Sequence, residues 1–89
     1  MERKESILEK TVQALDLPAD VAGLPRIELL GDRELRVESH KGILAYSTEE
    51  IHISGGKLVI RVLGGGLELR SMNAVELLIT GDIHTVELT

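Results

Sequence analysis

The chain has 89 residues, of which 43% are hydrophobic, 28% are charged and 1% are aromatic, and its formal net charge is −5. This length accommodates one domain and not two. Cysteine is absent, which excludes disulfides, thiolate–zinc sites and a cysteine nucleophile. The acidic balance and the single aromatic residue, Tyr46, argue against nucleic-acid binding, which uses basic surfaces and stacking rings.

The N-terminal segment predicts an amphipathic helix over residues 4–17. Its apolar stripe has helical spacing and consists of Ile7, Leu8, Thr11, Val12 and Leu15. Pro18 ends the pattern, because the residue before a proline avoids the helical region. We expect Leu15 and Leu17 to pack the helix end against a sheet, with Pro18 setting the direction of the chain beyond it.

From Arg26 onward the apolar period changes to two, which is typical of β-strands. Seven short strands are predicted, at residues 26–30, 34–38, 50–53, 57–62, 67–70, 75–79 and 85–88. Glycine-rich segments, including residues 64–66 and 81–82, are read as the turns between them. The prediction is a single, mainly β domain over residues 1–89. It has a helix at 1–17 and mostly antiparallel strands over 25–89, arranged as a meander, roll or sandwich.

A weak repeat leaves a second architecture open. The apolar pairs follow one another at offsets of nine or ten residues: Leu58 and Ile60, Leu67 and Leu69, Leu77 and Ile79, Val86 and Leu88. A meander of antiparallel strands produces this spacing, and so does a small β-solenoid. Double-glycine turns suit hairpins, so we prefer the meander.

Two apolar residues fall on the nominally polar face of their strands. If Leu58, Ile60, Leu77 and Ile79 point inward, Val59 and Leu78 point outward. Either the helix stripe covers them, or they belong to an association surface.

The last segment, residues 85–89, is the predicted edge strand, because it is short and carries one charge, at Glu87. We therefore assign Val86, Glu87 and Leu88, with Val59 and Leu78, to a predicted interaction surface. A domain of this size without disulfides has a thin core, so we expect a homo-oligomer.

No catalytic or metal-binding constellation is apparent. His40, His52 and His84 lack metal-ligand spacing and are interpreted as surface residues, each replaceable by alanine without loss of the fold. The triple glycine at 64–66 precedes a strand-like segment and not a helix, so it does not resemble a phosphate loop. The arginines lie among acidic residues, which favours cross-strand ion pairs. We expect no enzyme activity, no cofactor and no metal, although a small-ligand or metal sensor that uses the histidines stays an alternative.

Several segments resemble the YabP/YqfC family of sporulation proteins, and the YqfC type in particular. The resemblance begins at Leu15-Asp-Leu-Pro18, Asp20-Val21 and Leu24-Pro-Arg-Ile27. It continues through these positions: Gly31, Glu38-x-His40-Lys-Gly-Ile43, Tyr46, Glu50-Ile51-x-Ile53, Gly56-x-Leu58-x-Ile60, Leu67-x-Leu69 and Glu76-x-x-Ile79-x-Gly81-x-Ile83.

This resemblance implies a role in endospore formation, in the cytoplasm of the mother cell. It also implies a membrane-anchored YqfD-type partner, which would hold the protein at the forespore membrane without direct membrane insertion. The expected function is therefore a non-catalytic interaction or assembly module. The alternative within the same process is a self-assembling structural protein of the developing spore.

Overall fold

The computed structural model describes residues 23–89, which form one open antiparallel sheet. Its strands, in chain order, are β1 (Arg26–Leu30), β2 (Glu34–Glu38), β3 (Ile43–Tyr46), β4 (Glu50–Ser54), β5 (Val59–Met72) and β6 (Glu76–Leu88). Their order across the sheet is β1-β2-β6-β5-β4-β3. The helix predicted at residues 4–17, and with it Leu15, Leu17 and Pro18, lies outside the described residues.

The mainly β, antiparallel prediction is confirmed, and the solenoid alternative is wrong. The rungs of a solenoid stack in parallel, whereas every strand pair here is antiparallel. Strands that follow one another along the chain pair as in a meander, with one exception. β2 pairs with β6, so the chain crosses from one side of the sheet to the other between β2 and β3.

The predicted count of seven strands is wrong, because two predicted turns lie inside strands. Residues 64–66 belong to β5, which has 14 residues, and residues 81–82 belong to β6, which has 13. The β5–β6 register shifts between Leu63 and Gly64 and between Gly65 and Glu68. These irregularities absorb extra residues and bend the strands without ending them. The weak sequence repeat therefore reports the two ends of each long strand.

Strand β3 was not predicted. Its sequence, Ile-Leu-Ala-Tyr, does not alternate, and its register against β4 shifts between Ile43 and Ala45. A bulge of this kind removes the period-two signal on which the prediction depends.

The paired strands β5 and β6 form a long ribbon with different neighbours at its two ends. At one end β2 pairs with residues 76–80 of β6, and β1 pairs with β2. At the other end β4 pairs with residues 59–63 of β5, and β3 pairs with β4. We call the first end the β2 half-sheet; it consists of β1, β2, residues 76–80 of β6 and residues 68–72 of β5. We call the second end the β4 half-sheet; it consists of β3, β4, residues 59–63 of β5 and residues 85–88 of β6.

The two half-sheets share one hydrophobic core. The β2 half-sheet contributes Leu35, Val37, Leu77 and Ile79, the β4 half-sheet contributes Ile51, Ile53, Ile60 and Val62, and the bend between them adds Leu67 and Ile83. All ten side chains are buried and form a single cluster. Alternation along each strand places these residues on one face, so the half-sheets pack face to face around the bend.

The bend requires close contact between the backbones of β5 and β6. A Cβ atom on Gly64 would fall on the carbonyl oxygen of Asp82. Gly81 has a φ of 136°, and a Cβ there would lie 2.6 Å from the carbonyl oxygen of Gly66. Only glycine accommodates both the approach and the positive φ, so Gly64 and Gly81 together permit the fold of the ribbon.

Gly64→Ala is expected to lower the free energy of unfolding by about 2–3 kcal/mol, because the added methyl group overlaps the β6 backbone. Gly65→Ala is the matched control, since a Cβ at Gly65 meets no atom within 4 Å. Urea unfolding followed by circular dichroism measures both variants. Equal stability of the two variants would contradict the proposed contact at the bend.

Candidate interaction surface

Val59 and Leu78 both point away from the core, as predicted from the alternation. Their strand neighbours Ile60, Leu77 and Ile79 are fully buried, whereas Val59 and Leu78 are half-buried. Val59 belongs to the β4 half-sheet and Leu78 to the β2 half-sheet. Because the half-sheets pack with their inner faces together, these two side chains lie on opposite outer faces. One continuous surface does not contain both.

Leu78 lies in a shallow hollow on the outer face of the β2 half-sheet. It is directly opposite Arg36 of β2 on one side and Ser71 of β5 on the other. The hollow has a volume of about 210 Å³, and Leu30 and Glu28 of β1 also line it. Leu30 is 67% exposed, so the apolar part of this surface continues to the edge of the sheet.

The terminal segment of β6 pairs on one side only within residues 23–89. Pairing with β2 ends at Thr80, and the β1–β2 turn then accepts backbone hydrogen bonds from Gly81 and Ile83. Residues 85–88 pair with β5 alone. β6 is thus an inner strand over its first part and an edge of the β4 half-sheet over its last part.

The side chains of this edge point alternately to the two faces. Val86 is opposite the buried Val62 and packs against the core. Leu88 points to the same side but is 59% exposed at the rim. Glu87 is opposite Arg61 on the outer face, which Val59 shares. Of the predicted surface residues, Val86 and Leu88 therefore line the inner rim, Glu87 and Val59 the outer face, and Leu78 the other half-sheet.

A charged network crosses three strands on that outer face. Arg61 of β5 donates to Glu50 of β4 at 2.7 Å and lies 3.2 Å from Glu87 of β6. His52 Nε2 lies 2.7 Å from the Glu50 carboxylate and 3.3 Å from Arg61 Nε. The prediction of cross-strand ion pairs is confirmed here, and also for Arg36 with Glu76.

The network changes the proton affinity of its members. The hydrogen bond from Arg61, and after it the one from His52, lowers the pKa of Glu50 below its ordinary value of 4.5. The hydrogen bond to Glu50 and the charge of Glu87 raise the pKa of Arg61. Both residues are therefore held in their charged forms over the physiological range.

His40 is not a surface residue, which corrects its interpretation from the sequence. It is only 4% exposed and lies where the chain crosses from β2 to β3. The Gly42 N–H donates to Nδ1 at 2.9 Å, so Nε2 carries the proton and donates to the Asn73 carbonyl at 2.8 Å. Both ring nitrogens are therefore hydrogen-bonded to backbone groups. The spacing of His40 in the sequence gives no signal of this, because its partner Asn73 lies 33 residues away.

The remaining histidines are not brought together with it. His52 belongs to the charged network, and His84 is exposed. Among residues 23–89 no group of three or more metal-ligating side chains occurs. The same residues contain no helix long and apolar enough to cross a bilayer.

Comparison with known proteins identifies the family. Residues 23–89 match the sequence model of the YabP family. The chain belongs to the YabP family. The match begins just before β1 and includes every described strand, so the resemblance seen in the sequence is confirmed.

One relative covers nearly the whole chain. It is the "Uncharacterized protein YqfC" of Bacillus subtilis (strain 168), which is 28% identical over 86 residues. The alignment covers 96% of this chain and 92% of that protein. No solved structure matches.

Glu50→Gln is expected to destabilise the protein at neutral pH, because Arg61 loses one of its two charged partners and keeps only Glu87. A carboxylate whose pKa is lowered by folding contributes stability above its unfolded pKa and loses it as pH falls through the folded pKa. The difference between wild type and variant should therefore shrink below pH 4.5, the ordinary value for glutamate. Urea unfolding from neutral to acidic pH measures it. Glu49→Gln is the control, since Glu49 makes no ion pair within residues 23–89. A pH-independent difference would contradict the assignment.

His40→Ala is expected to cost about 1–3 kcal/mol of unfolding free energy, because it leaves the Gly42 N–H and the Asn73 carbonyl without their partner. His84→Ala, at an exposed position, should change stability by less than about 0.5 kcal/mol. Thermal and urea unfolding compare the two variants. A His40 variant as stable as the His84 variant would show that the crossing segment does not depend on the imidazole.

Proposed function

We propose that the protein is a non-catalytic interaction or assembly module that acts in the mother cell during endospore formation. Membership of the YabP family and similarity to the YqfC type support the sporulation role. The observation that carries the interaction role is the one-sided pairing of residues 85–88 in β6. An open strand edge binds another chain through backbone hydrogen bonds and so accepts a partner strand of varied sequence.

The proposed partner is a membrane-anchored YqfD-type sporulation protein. The YqfC resemblance supports this choice, and charge favours it over direct binding to lipid. A net charge of −5 opposes adsorption to anionic membranes, which attract basic segments. Recruitment to the forespore membrane would then depend on the partner protein, and this chain would stay on the cytoplasmic side of that membrane.

A self-assembling structural protein of the spore is the second candidate. The strands β1 and β3 also end the sheet, so the described part of the chain has edges on both sides as well as at β6. Several edges permit open-ended association, whereas one dominant edge favours a closed complex. Light scattering distinguishes these cases, because open-ended assemblies grow with concentration and closed ones do not.

Co-expression with a YqfD-type protein in a heterologous host tests the proposed partner. The tagged chain should sediment with membranes when the partner is present and stay in the supernatant when it is absent. Detergent should release both proteins as one complex. A chain that stays in the supernatant even when the partner is present would overturn the proposed partner.

Deletion of the gene in its own host tests the proposed process. The number of heat-resistant spores should fall while vegetative growth is unchanged, and expression from a mother-cell promoter should restore it. Expression from a forespore promoter is the matched control and should not. An unchanged spore count after deletion would contradict a role in sporulation.

A further inference from the structure

The last five residues present a regular row of backbone groups on their open side. Val59 and Thr89 exchange two backbone hydrogen bonds, at 2.9 and 3.0 Å. Because hydrogen-bonded pairs alternate along an antiparallel ladder, Thr85 and Glu87 also direct their N–H and C=O groups to β5. Val86 and Leu88 direct theirs away from β5, where no residue of the described chain pairs with them.

This edge lacks the features that protect the other edges of the described sheet, which are β1, β3 and residues 68–72 of β5, where Glu68 and Arg70 form a charge pair. The pairing of β3 is bulged between Ile43 and Ala45, and β1 carries an Arg26–Glu28 charge pair. Bulges and charges are the usual defences against edge pairing. Residues 85–89 carry one charge, at Glu87, and Arg61 lies 3.2 Å from it.

We propose that a second copy of this chain pairs with this edge in antiparallel orientation, about a two-fold axis. The two four-stranded β4 half-sheets then form one continuous sheet. An edge that pairs with its own copy must be self-complementary, and this one places apolar residues against apolar residues. The inference rests on the interaction role proposed above and assigns this edge to the chain itself, so a membrane-anchored partner would bind the dimer at another surface.

The register of the two paired edges depends on which residue lies on the two-fold axis, and Val86 and Glu87 are the two choices. With Val86 on the axis, the pairing must include His84, which the register shift leaves between the paired residues Ile83 and Thr85. With Glu87 on the axis, Val86 and Leu88 of each copy exchange four backbone hydrogen bonds with Leu88 and Val86 of the other. The second register also brings the exposed Leu88 against Val86 on the inner rim.

The register with Glu87 on the axis places the two Glu87 side chains opposite one another on the outer face. Like charges directly opposite disfavour a pair of strands. Here each Glu87 carboxylate already forms an ion pair with Arg61 of β5 in its own copy of the chain. Two further backbone hydrogen bonds and two apolar contacts outweigh this single neutralised contact, and we therefore assign Glu87 to the axis.

Single cysteines test the register, because the chain contains no cysteine of its own. Across the axis the two residues 87 form a non-hydrogen-bonded pair with Cα atoms about 4.5 Å apart. That separation falls within the roughly 4.4–6.8 Å range of disulfides. Glu87→Cys should thus form a disulfide-linked dimer under mild oxidation.

Thr85→Cys is the matched control. Thr85 points to the same outer face and is exposed, but its copies are four residues out of register, roughly 13 Å apart along the strand. It should stay reduced when Glu87→Cys is oxidised. Equal cross-linking of both variants, or none of Glu87→Cys, would overturn the proposed dimer.

Light scattering on the full chain tests the backbone hydrogen bonds. The wild type should be a dimer at micromolar concentration, and Val86→Pro, which removes an outward N–H, should shift it to monomer. Val86→Thr keeps both the N–H and the branched side chain and should stay dimeric. Circular dichroism establishes that each variant is folded. A monomeric wild type, or a folded Val86→Pro dimer, would reject the pairing while leaving the membrane partner to its own test.

Discussion

The fold of residues 23–89 depends on the close approach of two backbones at the bend of the β5–β6 ribbon. Gly64 and Gly81 lie where a Cβ atom would overlap the opposite strand. Their lack of side chains lets the ribbon fold over, and the inner faces of its two ends then meet. Without the bend each half-sheet would expose its apolar face to water, which the hydrophobic effect opposes.

The same bend explains why a small, well-packed domain keeps an open edge. β5 and β6 pair with each other along their length, and each has a second neighbouring strand along its first part only. β2 covers the first part of β6, and β4 covers the first part of β5. Residues 85–88 are therefore unpaired on one flank within the described chain as a consequence of how the core is built, and the proposed association uses that flank.

The crossing between β2 and β3 holds the two half-sheets together through polar contacts. His40 bonds to the backbone at Gly42 and Asn73. On either side of it the backbone N–H of Ser39 donates to the Val75 carbonyl and the backbone N–H of Lys41 donates to the Ser54 carbonyl, both at 2.7 Å. Both nitrogens of this buried imidazole are hydrogen-bonded to the backbone, so neither could bind a ligand without losing that hydrogen bond. The role of His40 is therefore structural.

The sequence by itself determined the antiparallel β class, the family, the outward direction of Val59 and Leu78, and the ion-pair character of the strands. Period-two alternation carries the first and third of these, because each side chain's face follows from its position along the strand. Tertiary structure alone decided that two glycine segments bend strands and do not end them, that β2 pairs with β6, and that His40 is buried. A glycine suits a turn and a bulge equally well, so only the strand on the other side distinguishes them. His40 and Asn73 likewise reveal nothing locally, because they lie 33 residues apart and the pairing of β2 with β6 brings them together.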